Sequence, residues 1–323
     1  MTRLVYHCRI FLFFACFFIF SNCGNNSGQE EKDTRDNGTI YISVDESFKP
    51  VIDSQIQVYE AAHPDTKIIP LYKPEAACIE DFGVDSIRMV IITRKFSKGE
   101  EQFMNDSLKL VPEQMIVARD AVAVIVNPSS PDSLFTLNEL RDILKGQGNP
   151  VLTNKKTSGK EKVNSTGLIP IFDGNRATST VRFIIDSLLH GDTLTSRTMA
   201  AKNSEGVIDY ISKNPNAVGF IGVSWIGNPE DSTQLSFLKK VKMAELESTD
   251  IPGSYVLPVQ ANIYARRYPL IRDLVYILKE KHNGLGHGFA YFLSGETGQL
   301  IFRRAYLLPT QKDFRVRPAR LNE

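Results

Sequence analysis

Short runs rich in Ile and Val alternate with amphipathic stretches along most of this chain. The candidate strands are Thr39 to Val44, Lys67 to Leu71, Arg88 to Thr93, Ala121 to Val126, Leu168 to Phe172 and Ala217 to Val223. Runs this apolar fit strands covered on both faces. Helical patterns follow most of them, which argues for an α/β fold with parallel sheets flanked by helices. Pro50 to Ala62 carries Ile52, Ile56 and Tyr59 on one face and stops at His63-Pro64. Ser97-x-x-Glu100 and Thr136-x-x-Glu139 have capping-box spacing. Ser204 to Ser212 aligns Val207, Ile208 and Ile211 before Asn214-Pro215. The pattern predicts two late helices, Leu270 to Lys279 and Phe289 to Phe302, the second interrupted at Ser294-Gly295. Lys155 to Thr166 is polar and basic and reads as a solvated loop.

One strand-to-helix junction carries chemistry. Asp173-Gly174-Asn175-Arg176-Ala177-Thr178-Ser179-Thr180 lies between Leu168 to Phe172 and a helix marked by Val181, Ile184, Ile185, Leu188 and Leu189. Three hydroxyls crowd a first turn whose amides have no intrahelical partners and whose dipole end is positive. Such a turn can cradle an oxyanion. The plainer reading makes Thr178 or Ser179 a helix N-cap.

The N-terminus carries a targeting pattern. Arg3 and Arg9 flank the apolar run Ile10 to Phe20, too short to span a bilayer and of signal-peptide length. Phe20-Ser21-Asn22-Cys23-Gly24 resembles a lipoprotein processing site, with residues 1–23 as the leader and Cys23 as the acylated residue; a plain secretory signal is the alternative. Residues 24–38 read as a polar tether. Two of the four cysteines, Cys8 and Cys16, leave with the leader. With Cys23 acylated, Cys78 has no disulfide partner and reads as a small buried side chain. The net charge of +1 makes no case for nucleic acid or an anionic surface as partner. The five histidines show no ligand spacing, and neither a G-x-S-x-G elbow nor a Walker loop occurs. The sequence therefore calls for no catalytic residue, no metal and no cofactor.

Several segments, in order, resemble the phosphate-binding proteins of bacterial ABC transporters. They are Asp120 to Pro128, Leu137 to Gly146, Asn203 to Val207, Pro215 to Gly222 and Phe292 to Gln299. The resemblance implies a two-lobe periplasmic-binding-protein-like fold of type II, with parallel-rich sheets and two crossover hinge segments. Lobe one would take residues 39–126 and 264–323, and lobe two residues 127–263. The ligand would be inorganic phosphate or a similar oxyanion, enclosed between the lobes. The partner would be an ABC permease in the inner membrane, served by a lipid-anchored monomer in the periplasm or cell envelope. The alternatives are a receptor for sulfate or an organic phosphate, and a phosphate sensor without a transport role.

The resemblance also nominates three binding loops. Ser47 and Phe48 match the first, Thr93 and Arg94 the second, and Thr178 and Ser179 the third. The family usually carries Ser-Asp at the second loop, where the Asp accepts a hydrogen bond from the proton on phosphate; here Thr93-Arg94 stands instead. The family's arginine two residues before the third-loop Asp is replaced by Ile171. The sequence expectation is that Arg94 or Arg176 supplies the displaced charge, so that Arg94→Ala weakens anion binding more than tenfold. Asp45 and Asp173 are the remaining candidate acceptors, unless both simply hold loop amides.

Overall fold

The computed structural model describes residues 33–147, 167–175, 177–228 and 231–312. The expected leader with Cys23, most of the expected tether, the basic loop and Arg176 lie outside these residues. The end of the predicted tether does not hang free. Thr34 N–H donates to Asn37 O at 2.9 Å, and Tyr59 Oη donates to Arg35 O at 2.6 Å.

The first strands are β1 (Gly38–Asp45), β2 (Thr66–Lys73), β3 (Ile87–Ile92) and β4 (Glu113–Val126). Next come β5 (Leu134–Phe135), β6 (Ile169–Phe172), β7 (Met199–Ala200), β8 (Ala217–Gly222) and β9 (Lys242–Met243). The last are β10 (Glu245–Glu247), β11 (Tyr255–Val256), β12 (Ile271–Leu278) and β13 (Leu308–Pro309). Ten of these form one sheet in the order β2-β1-β3-β12-β4-β8-β6-β7, with β9 and β13 each paired to β4. The pairs β1–β2, β1–β3, β6–β8 and β6–β7 are parallel, whereas β12 runs antiparallel to β3 and β4, and β4 antiparallel to β8. The sheet is therefore mixed.

β4 joins the two halves. Its residues up to Ala121 pair with β12, and Val122 to Val126 pair with β8. A second passage runs beside it, where Val122 N–H donates to Leu270 O at 2.9 Å and Tyr268 Oη donates to Val122 O at 2.8 Å.

The strands are buried on both faces, as their composition implies. Met89 and Ile91 enter one core with Ile40, Ile42 and Phe48, while Val90 and Ile92 enter another with Cys78 and Phe82. Val122, Val124 and Val126 face Phe172 and Phe220, while Ala123 and Ile125 face Val207 and Ile211. Period-2 alternation thus feeds two layers of helix rather than helix and solvent. Cys78 is fully buried, and burial pushes its thiol up to about 12.

The helices are α1 (Lys49–Ala62), α2 (Glu75–Asp81), α3 (Lys98–Leu108), α4 (Leu137–Lys145) and α5 (Ser179–Ser187). They continue with α6 (Ser204–Lys213), α7 (Ser232–Lys240), α8 (Gln260–Tyr264), α9 (Leu285–Ser294) and α10 (Glu296–Arg304). Both capping boxes form, and Gly295 separates α9 from α10. The expected helix Leu270 to Lys279 is instead strand β12. Ile271, Leu274, Val275 and Leu278 have helical spacing, but a strand buried on both faces shows no alternation to contradict it. The β-branched and aromatic residues Ile271, Val275, Tyr276 and Ile277 decide for the strand. No helix among the described residues is long and apolar enough to cross a membrane.

Candidate functional site

Two strand ends, of β1 and β6, meet the start of β12 in a buried polar cluster, and the end of β3 lies in an adjoining network. After β1 the chain makes a single 3-10 turn, Glu46–Phe48. Asp45 closes it: its Oδ1 accepts from Ser47 N–H at 3.0 Å and from Ser47 Oγ at 2.9 Å. From the far side, Ser224 Oγ donates to Ser47 O at 3.0 Å. The turn therefore holds the Ser47 hydroxyl against α5, with 3.3 Å between Ser47 Oγ and Ser179 Oγ.

The junction after β6 needs its glycine. Gly174 has φ +152, and a Cβ there would come within 2.6 Å of Thr178 Cγ2. The three hydroxyls that follow divide their work. Thr178 is the N-cap, its Oγ1 accepting from Val181 N–H. Thr180 Oγ1 donates to Asp173 Oδ2 at 2.9 Å. Ser179, fully buried, faces Ser47 and a guanidinium.

That guanidinium belongs to Arg272, near the start of β12. Its Nη1 donates to Ser179 Oγ at 3.0 Å and lies 3.3 Å from Thr180 Oγ1. Its Nε donates to Asp120 Oδ2 at 2.8 Å, and Nη2 stands 2.8 Å from the same oxygen. The Phe48 ring backs it, 5.2 Å from centroid to Cζ. Burial opposes the charge, but Asp120, Asp45 and Asp173 hold the guanidinium above its ordinary pKa.

Hydrogen bonding here is incomplete on both sides of the charge pairing, for Arg272 Nη2 is itself buried without a hydrogen-bond partner. One oxygen each of Asp45, Asp120 and Asp173 is buried without a hydrogen-bond partner. Burial raises the pKa of all three, and Asp45 reaches about 6, with Glu75 adding to the push and Arg272 resisting it. Glu46 rises to about 8 through burial, then through Asp173 and Asp45. Ser204 Oγ, at the start of α6, lies 3.2 Å from Glu46 Oε2 and 3.4 Å from Asp173 Oδ2.

The second nominated loop has other partners. Glu75 Oε1 accepts from Thr93 N–H at 2.9 Å and from Thr93 Oγ1 at 2.5 Å. Arg182, on α5, donates from Nε to Glu75 Oε2 at 2.5 Å and from Nη2 to Thr93 Oγ1 at 2.6 Å. Arg94 turns away to a bidentate pair with Glu100, Nη1–Oε2 at 2.7 Å and Nη2–Oε1 at 2.8 Å. That pair, with burial opposing, lowers Glu100 to about 2.

Asp45, Ser47, Phe48, Asp173 and Ser179 are thus gathered with Thr178 at their edge, Thr93 sits in an adjoining network, and Arg94 makes no hydrogen bond to either. Among the described residues, Arg272 supplies a charge beside the third loop; Arg176 lies outside them. Sequence reasoning did not pick out Arg272, Asp120, Glu75, Arg182, Glu46 or Ser204. A lone arginine inside the run Leu270 to Leu278 was the available signal, and reading that run as a helix hid it.

A family profile described as a PBP superfamily domain matches residues 29–296. No significant match was found among curated protein sequences. Solved structures with a similar fold include a protein from Clostridium perfringens assigned as a phosphate ABC transporter substrate-binding protein and containing phosphate. It has TM-score 0.67 and 20% identity over 84% of this chain and 100% of that one. An ABC-type phosphate transport receptor from Vibrio cholerae follows at TM-score 0.59 and 19% identity, covering 84% and 100%. PstS from Borrelia burgdorferi has TM-score 0.51 and 19% identity, covering 84% and 99%. At such identities the likeness is one of fold, whereas the profile spans both halves of the sheet and every residue of the cluster. The chain belongs to the PBP superfamily.

Proposed function

We propose that this protein is an extracytoplasmic receptor that encloses phosphate between its two lobes and delivers it to an ABC permease. The lobes are residues 39–126 with 264–323, and residues 127–263. One observation carries the reading. Hydroxyls from both lobes, Ser47 and Ser179, meet 3.3 Å apart beside the buried guanidinium of Arg272. An oxyanion entering as the lobes part would take both O–H groups and the Ser179-facing edge of the guanidinium. Closure about the two passages would then exclude water.

The partnerless oxygens of Asp45 and Asp173 favour phosphate over sulfate. Phosphate near neutral pH carries a proton to donate to a carboxylate, and sulfate carries none. A buried acceptor left facing sulfate is repelled without compensation. In this reading the chain is a binding protein rather than an enzyme. The superfamily and the fold neighbours support it, as does the leader with Cys23, which would hold the protein by lipid in the cell envelope.

The test is calorimetric titration of the body lacking Cys23 with phosphate and with sulfate, after unfolding and refolding to strip bound anion. Phosphate binding at least a hundredfold tighter than sulfate is expected. Equal binding of both would remove the acceptor argument, and binding of neither would overturn the reading. Phosphate-dependent stimulation of permease ATP hydrolysis then separates transport from sensing.

A further inference from the structure

Glu75 occupies an unusual place for a first-turn glutamate. It opens α2 directly after Pro74, where a carboxylate ordinarily lies in solvent near its own helix amides. This one is 2% exposed and reaches across to the end of β3. It takes both donors of Thr93, the backbone N–H and the hydroxyl, on Oε1. Arg182 completes the set through Nε on Oε2, with Nη2 a longer 3.4 Å from Oε1. A backbone amide, a hydroxyl and a guanidinium converging on one carboxylate are the donors that a bound oxyanion collects.

The contact also joins the halves of the molecule. Glu75 follows β2, whereas Arg182 is on α5 after β6. Beside them Ala76 N–H donates to Ala177 O at 3.1 Å. The tie uses only the protein's own groups. Burial alone would raise the Glu75 pKa, but Arg182 and Thr93 outweigh burial and lower it, so the group is an anion at neutral pH. Its charge is felt at Asp45, on the first binding loop.

We propose that Glu75 is an internal anion of the cleft, which takes the Thr93 donors an oxyanion would use and ties the lobes together through Arg182 before ligand enters. This inference rests on the phosphate reading for its competitive half. Phosphate must either displace Glu75 from Thr93 or bind beside a fixed negative charge, and both weaken its binding. The lobes, meanwhile, stay together without phosphate.

The experiment compares wild type, Glu75→Ala and Glu75→Gln in two readouts. The first is calorimetric titration with inorganic phosphate. The second is the distance between spin labels on cysteines introduced at the exposed positions Gln102 and Lys239, measured without phosphate. Glu75→Ala should bind phosphate at least tenfold tighter than wild type and should shift the ligand-free distances to longer values. Glu75→Gln keeps the volume and loses the charge; it guards against misfolding of the alanine variant and should bind at least threefold tighter. Wild-type phosphate binding that the variants leave unchanged or weaken overturns the competition and leaves the receptor reading standing. Unchanged ligand-free distances overturn the tie. Phosphate ignored by all three proteins sinks the receptor reading and the competition with it, and the distances then decide the tie alone.

Discussion

The two sides of the cleft solve the same electrostatic problem in opposite ways. Around Thr93 every strong group is matched: Glu75 receives two donors from Thr93 and others from Arg182. Around Ser47 the match is incomplete, because Asp45, Asp120 and Asp173 each keep a buried oxygen without a partner. Buried polar groups in native proteins are nearly always satisfied, so a concentration of exceptions marks a place shaped for something besides folding. A complete network favours one arrangement of the lobes. An incomplete one leaves free energy to be gained when a ligand supplies the missing partners.

The sharpest way to break this comparison is at Arg272, the cation that, among the described residues, acts on all three aspartates of the incomplete side. Arg272→Ala leaves Asp120 buried and unpaired in the sheet, a loss of about 3–5 kcal/mol of stability. Phosphate affinity should fall more than a hundredfold. Arg272→Lys keeps a charge but loses the fork that reaches Asp120 and Ser179 together, and should lie between the two. Urea unfolding and calorimetry on both variants check this. An alanine variant as stable as wild type would mean that Asp120 is not an ionised partner, and the contrast between the two sides would collapse.

Acidity sharpens the comparison, because the two sides respond with opposite sign. Glu46 has a folded pKa of about 8 against 4.5 for the free side chain, and it faces Asp173, Asp45 and Ser204, with Arg272 beside the two aspartates. A raised carboxylate pKa means that the folded state holds its proton longer. That contribution is complete below about pH 4.5 and is lost as pH rises toward 8. Asp45, raised to about 6, adds to the loss at the lower end of that window. The slope should approach about 1.4 kcal/mol per pH unit per titrating group at most. Glu75 is lowered, so its contribution is present above the unfolded value and lost as pH falls through the folded one. Denaturation curves between pH 5 and 9 should show stability declining with pH, and Glu46→Gln should flatten that decline. An unchanged slope in Glu46→Gln would place the titration elsewhere.

The sequence showed the layers better than the cleft, for a physical reason. Strands such as Ala121 to Val126 and helices capped at Ser97 and Thr136 are written in neighbouring residues, and both capping boxes formed. The Asp173–Thr180 junction was legible because strand, glycine turn and hydroxyls are contiguous. Arg272 and Asp120 are 152 residues apart, and their pairing depends on β12 lying against β4. Reading Leu270 to Lys279 as a helix hid the strand pairing that brings Arg272 to Asp120. Glu75 left no local sign, since a glutamate opening a helix is commonplace; only the fold brings Thr93 and Arg182 to it.

The smallest expected effect is at Arg94, where sequence reasoning had placed a large one. Both terminal nitrogens of its guanidinium donate to Glu100 and one also to Lys95 O, and Glu100 is itself fixed by the capping box of α3. The two side chains are 31% and 30% exposed, so water screens the pair and it contributes at most about 1 kcal/mol. Arg94→Ala should cost little stability and change phosphate affinity less than threefold. The same titration that reads Arg272→Ala reads this variant. A tenfold loss at Arg94 would mean that the side chain leaves Glu100 for the ligand when the lobes close, and the Thr93 side would then be a second incomplete half of the cleft rather than a finished one.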